Sequence, residues 1–232
     1  GPDVSRLLDT PADDQRHARQ VRRALIEDDR DLIFLYCGSL IPRKGVDTLI
    51  RGFIQFARNE SRGRLVIVGD GPERAALESM VPAKIQTRVL FAGTKQRPEL
   101  YHYYLAADVF VFPSRYDGWA VVINEAMGAG LPTIATDAVG AAVEMIRNGV
   151  EGFIVPIDRP DRIAQHLSTL TSLPDVRLAM RRNAVARGEE YSARAGALRM
   201  VNALLRRANT NPDSKTTETW HVNGISKHSK AA

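Results

Sequence analysis

The sequence predicts an α/β domain, a doubly wound parallel sheet of about six strands with helices on both faces. Two observations predict it. Short apolar runs recur along the chain, at 32–38, 64–69, 88–93, 108–113, 132–136 and 152–156, each bounded by turn residues. Between consecutive runs lies a stretch with a helical pattern, and strand–helix alternation of this kind builds βαβ units whose strands pair in parallel, buried on both faces. A third observation agrees with them. With 44% hydrophobic and 25% charged residues among 232, the chain has the balance of a folded globular protein, so wholesale disorder is excluded.

Taken in order, residues 1–30 read as a linker and a charged helix, in which 11–30 carries few apolar positions, among them Val21, Leu25 and Ile26. Gly1-Pro2 fits an expression scar and a native turn equally. Residues 31–208 form the domain. Its helices are expected at Val46–Arg58, Pro72–Val81, Pro98–Ala106, Trp119–Ala129, Gly140–Arg147 and Asp161–Leu170, and two more, Pro174–Arg187 and Ser192–Arg207, complete it. Residues 209–232, rich in Ser, Thr, Asn and Lys, read as a flexible tail.

Charge narrows the class. The 32 Lys and Arg against 27 Asp and Glu leave a net +5, with the arginines scattered, whereas a nucleic-acid binder carries a denser basic stripe. The single cysteine, Cys37, excludes an internal disulfide framework and fits a reducing cytoplasm, and it reads as a packed thiol rather than a nucleophile. No apolar run approaches 18 residues and no apolar-centred leader opens the chain, so a cytoplasmic domain without membrane contact is expected. The five histidines (His17, His102, His166, His221 and His228) are dispersed, and no ligand spacing points to a metal.

Ligands of such sheets sit beyond the carboxyl ends of the strands, so the residues after each apolar run carry the information. After the first comes Gly38-Ser39-Leu40-Ile41-Pro42-Arg43-Lys44-Gly45. Its glycines, its two cations and the following helix start suit a phosphate, and the same stretch also reads as a surface turn with solvated charges. After the second, Gly69-Asp70-Gly71-Pro72 lacks the third glycine of a dinucleotide fingerprint, where Arg74 stands, and lacks the Gly-Lys-Ser/Thr of a P-loop. After the fourth, Asp117 and Glu125 are eight residues apart, roughly 12 Å along a helix that starts at Gly118. They could hold two distant hydroxyls of one extended ligand, or serve as an N-cap and a helix-face residue. Glu125 is flanked by Ala126, Met127, Gly128 and Ala129, where a solvated charge is not expected and a partner is needed. After the fifth, Gly140-Ala141-Ala142 opens a helix whose amides could face an anion, with Glu144 behind them.

Together these segments resemble the nucleotide-sugar-binding, C-terminal half of a GT-B glycosyltransferase of the large retaining family 4, from about Leu32 to Ala208. The most specific element is the acidic-x7-acidic motif Asp117 to Glu125, followed by Ala-Met-x-Ala-Gly-x-Pro at 126–132. The resemblance implies that Lys44 contacts the donor diphosphate, that Glu125 holds the ribose hydroxyls and that Asp117 accepts hydroxyls of the transferred sugar. It implies amides around Gly118, Trp119, Ala120 and Val121 near sugar and diphosphate, Gly93 and Thr94 beside the base, and Glu144 near a phosphate-side loop. Gly38 and Ser39 lie on the phosphate loop; many members have an arginine where Ser39 stands, and Arg43 substitutes for it only if it turns inward. Asp117 replaces the commoner glutamate, and Ala120 stands where glycine is common.

The implied reaction is sugar transfer from a nucleoside-diphosphate sugar to an acceptor, with charge on the leaving diphosphate stabilised by Lys44, Arg43 and helix amides, and with neither metal nor other cofactor. The implied partner is an N-terminal, acceptor-binding Rossmann-like domain, in the same parent chain or a separate subunit. Gly1 to about Leu7 resembles the linker to it. The alternative is a non-catalytic nucleotide-sugar-binding or assembly module, with Ser39 marking lost catalysis. A redox Rossmann protein is disfavoured by Arg74.

Overall fold

The structure, a computed structural model, describes residues 11–191. Six strands form one all-parallel sheet: β1 (Ile33–Cys37), β2 (Arg64–Val68), β3 (Val89–Gly93), β4 (Val109–Phe112), β5 (Thr133–Thr136) and β6 (Gly152–Val155). Their spatial order is β3-β2-β1-β4-β5-β6. The chain therefore winds one way through β1 to β3 and the other way through β4 to β6. The reversal falls between β1 and β4, which pair at Phe34 with Val109 and Leu35 with Phe110. In doubly wound sheets ligands bind at such a switch point, beyond the carboxyl ends of the two strands.

The helices are α1 (Ala12–Leu25), α2 (Val46–Phe56), α3 (Arg74–Ser79), α4 (Arg97–Ala106), α5 (Val121–Gly128), α6 (Gly140–Met145), α7 (Pro160–Ser172) and α8 (Pro174–Glu190). Every residue of β1 and β4 is buried, as expected of central strands covered on both faces. Phe34 anchors one face, edge-on to Phe56 at 5.3 Å and Phe53 at 6.2 Å, where α2 closes over the sheet. A fully buried ring of this kind contributes about 1.5–3 kcal/mol relative to exposure.

Several boundaries differ from the sequence expectation, each for a local reason. The helix expected from Trp119 starts at Val121, because Ala120 takes a left-handed backbone (φ 60°). The helix expected from Pro72 starts at Arg74 after a turn in which the Arg74 amide bonds the Gly71 carbonyl. The first helix ends at Leu25, where the Ile26 backbone becomes extended. A 3₁₀ turn, Ala83–Arg88, was not expected between α3 and β3. The expectations for Gly1–Leu7, Ser192–Arg207 and the tail lie outside the described residues.

Much of the basic charge is structural. At the amino end of the sheet Arg22 donates to the Ala106 carbonyl and to Asp108, both at 2.8 Å, and Arg181 donates to the Ala107 carbonyl. Arg177 donates to the Leu170 carbonyl inside α7. These arginines satisfy carbonyls that helix C-terminal turns leave open. The histidines are less dispersed than expected: His17 and His102 stack at 5.0 Å, and His102 Nε2 lies 3.0 Å from Asp14. His166 stacks on Phe153, and burial lowers its pKa. His221 and His228 lie outside the described residues.

Candidate active site

Two loops meet at the switch point. The loop after β1 runs through Gly38 to Ile41 into a 3₁₀ turn, Pro42–Lys44, and Gly45 passes the chain to α2. The loop after β4, residues 113–120, carries Asp117. It is tied to the first loop by Arg115, whose amide donates to the Arg43 carbonyl at 2.8 Å and whose side chain donates to the Pro42 carbonyl. The same guanidinium holds both oxygens of Asp47 at 2.9 Å and Asp158 at 2.8 Å. Buried Ser114 bonds the Arg43 and Tyr116 carbonyls. On the far side, the Asp117 amide donates to the Ala138 carbonyl and the Gly140 amide to the Asp117 carbonyl, so the loop is braced from both flanks. Sequence reasoning passed over Arg115, and only the fold brings its carboxylate partners, at 47 and 158, to it.

The brace fixes the charged centre. Lys44 Nζ donates to Asp117 Oδ2 at 2.5 Å and lies 4.9 Å over the Phe112 ring. Both side chains are mostly buried, 13% and 16% exposed. Burial pushes the Asp117 carboxyl up, but the Lys44 hydrogen bond and charge, with the Trp119 and Ala120 amides, outweigh it and hold the group below its ordinary range. Arg43, its side chain 47% exposed, lies over the loop: it donates to the Tyr116 carbonyl at 2.6 Å and stands 3.8 Å from Asp117 Oδ2. Asp117 is not the N-cap of α5, and the 12 Å axial spacing does not apply, because Asp117 stands on the loop and not on the helix.

The turn from Gly118 to Ala120 leads from this centre into α5, with the Trp119 amide donating to Asp117 Oδ1 at 3.3 Å, and the first amides of a helix have no intrahelical partner. Ala120 at φ 60° and ψ 79° is one of two non-glycine residues with positive φ among those described. For a residue with a Cβ that region costs roughly 1–2 kcal/mol, against a smaller loss of chain entropy when glycine takes its place. Ala120→Gly is therefore expected to stabilise the protein by about 0.5–1 kcal/mol in urea denaturation. An unchanged or lower stability would show that no strain is held there.

Glu125, on the second turn of α5, has the partner its surroundings call for. Tyr104 Oη donates to Glu125 Oε2 at 3.1 Å, and exposed Arg97 stands 3.8 Å from Oε1. Behind Tyr104 lies the Cys37 thiol, free and buried, whose pKa burial raises to about 11. An inert packed thiol is what that environment makes. Cys37 also lines a cavity of about 200 Å³ at the carboxyl ends of β1 to β3, with Gly38, Ser39, Gly69, Thr94 and Lys95. Gly38, Ser39 and Thr94 are thus brought together around one space, and Gly93 ends β3 beside it.

Trp119 and Glu144 form a separate cluster. The Trp119 ring lies 6.5 Å from that of Tyr191, whose hydroxyl donates to Glu144 at 2.8 Å, and Trp119 Nε1 donates to Asn124. Glu144 is engaged with the end of α8 there. Among the described residues no group of three or more His, Cys, Asp or Glu could hold a metal ion.

Residues 18–187 match the family model of glycosyl transferases group 1. The chain belongs to that family. As a group 1 glycosyl transferase it is 30% identical, over 75% of its length, to an alpha-D-kanosaminyltransferase of Streptomyces kanamyceticus, of which the match covers 45%. It is 33% identical over 66% of its length to a GDP-mannose-dependent alpha-mannosyltransferase of Mycobacterium tuberculosis, covering 40% of that protein. The chain thus spans less than half the length of these relatives. Among solved structures, the Anabaena protein HepE in complex with UDP-glucose matches 85% of the chain and 53% of its own, with a TM-score of 0.69 at 21% identity. The crystallised C-terminal domain of a group 1 glycosyl transferase, LpcC of Francisella tularensis, matches 73% of the chain and 92% of its own, with a TM-score of 0.63 at 22% identity. At these identities the structural matches bear on the fold, and they agree with the six-stranded parallel sheet.

Proposed function

We propose that this chain is the donor-binding half of a retaining glycosyltransferase that takes a sugar from a nucleoside-diphosphate sugar. One observation carries the reading: Lys44 and Arg43 converge on Asp117 at the switch point of the sheet, on the loop that leads into α5. An arriving diphosphate brings more negative charge than Asp117 does, and it draws Lys44, Arg43 and the helix amides to itself. Asp117 is then released to accept hydroxyls of the sugar. As the sugar–oxygen bond breaks, negative charge grows on the leaving diphosphate, where these cations already stand, so they favour the transition state over the ground state. Glu125 holds the ribose, and the base lies toward Gly93 and Thr94. The cations and amides supply the neutralising charge, so the reading uses no metal.

Arg43, held 3.8 Å from Asp117 by its bond to the Tyr116 carbonyl, adds a second cation beside Lys44, which favours the enzyme over a non-catalytic module. The acceptor-binding domain is assigned to a part outside these residues, which the coverage of the relatives and of the Francisella domain supports. The chain alone accordingly binds donor but transfers sugar poorly. A free, buried Cys37 supports a cytoplasmic setting.

Calorimetric titration of the chain with UDP, GDP and ADP, alone and as sugar conjugates, tests the reading. Binding of one nucleotide, lost in Glu125→Ala, is expected. No binding by any of them would overturn the donor-site assignment, and robust transfer by the chain alone would overturn the half-enzyme.

A further inference from the structure

Glu125 needs more than its own position to grip a ribose. It sits on a helix of eight residues, with its side chain 30% exposed, and an ionised glutamate there has three torsions free to turn. One contact limits them. Tyr104 is 2% exposed, its ring packs on Phe110 at 5.8 Å, and its hydroxyl donates to Glu125 Oε2. Cys37, a wall of the cavity beyond β1 to β3, is a buried neighbour of the same phenol. Burial keeps the phenol protonated, so it remains a donor. Oε1 faces outward toward Arg97, which is 87% exposed.

We infer that Tyr104 is a positioning residue for the nucleotide: through its hydroxyl it fixes the Glu125 carboxylate so that Oε1, and the second lone pair of Oε2, meet the vicinal hydroxyls of a ribose. This rests on the donor-site reading above. Tyr104 itself touches no ligand. A pre-oriented carboxylate accepts two hydroxyls without first losing rotamer freedom, and truncation of the phenol restores that freedom.

The test uses the whole chain and whichever of UDP, GDP or ADP binds it, together with the 2′-deoxy and 3′-deoxy forms of that nucleotide. Tyr104→Phe is expected to weaken the ribonucleotide roughly fivefold to tenfold, one hydrogen bond's worth, and the deoxy forms, each of which keeps one of the two hydroxyls, by a smaller factor. Thermal melting confirms that the variant folds. Equal weakening of ribo- and deoxynucleotides would overturn the proposal and make Tyr104 a packing residue, as would no weakening at all. If wild type binds none of the three nucleotides, the donor-site reading fails and this inference with it.

Discussion

Replacement of Lys44 by alanine is expected to lower nucleoside-diphosphate affinity by about 30–100-fold and to destabilise the fold by about 2 kcal/mol at pH 7, because both effects come from one cation. In the free protein Lys44 is the close partner of Asp117, and neither side chain is more than 16% exposed. Its removal leaves a carboxylate in a half-desolvated place with only Arg43, at 3.8 Å, and loop amides to answer it. The pH dependence gives the sharper test. Asp117 is held below its ordinary value of 3.8, so its contribution to stability is complete above that value and disappears as pH falls through the lower, folded value. Lys44→Ala takes away the strongest influence that lowers it. The gap between wild type and variant in urea melts should therefore be full at pH 7 and narrow below about pH 4, as the carboxyl protonates in both. A gap of equal size at both ends would show that Lys44 stabilises by packing on Phe112 and not through Asp117.

Gly45→Ala has the second large effect. Gly45 has φ +65°, and a Cβ there would overlap the Pro113 carbonyl oxygen, a backbone atom that cannot swing aside. Left-handed strain and this collision together cost on the order of 3 kcal/mol. Gly45 follows the turn that carries Lys44 and packs against Pro113 of the loop that carries Asp117, so the variant should lose nucleotide binding along with stability. Gly118→Ala is the matched comparison. A Cβ at Gly118 meets nothing within 4 Å, and its stability should change by less than about 1 kcal/mol. Similar melting of the two variants would refute the assigned close approach.

Much of this was legible in the chain because burial imposes period and length. Runs such as IFLYC and VFVF are apolar at every position, which only a strand covered on both faces requires, and the helices between them force parallel pairing. The strand-end rule then leads to Lys44, Asp117 and Glu125 without coordinates. Helix starts were less legible. The Gly118–Ala120 turn is set by a left-handed alanine, a conformation that propensity argues against and that the surrounding loop contacts impose.

What the sequence by itself determined is therefore the order of the elements, the parallel sheet, and the residue types at its carboxyl edge, since each follows from local pattern and from the need to bury apolar surface. What only the tertiary structure decided is which of those residues answer one another. Lys44 and Asp117 are 73 positions apart, as are Arg43 and the Tyr116 carbonyl it bonds, and Glu125 finds its donor 21 residues upstream in a different helix. Arg115 reached Asp47 and Asp158 from neither local side. Such pairings depend on the strand order that sets β1 beside β4. That order is a property of the packed sheet as a whole, and no local stretch of sequence encodes it.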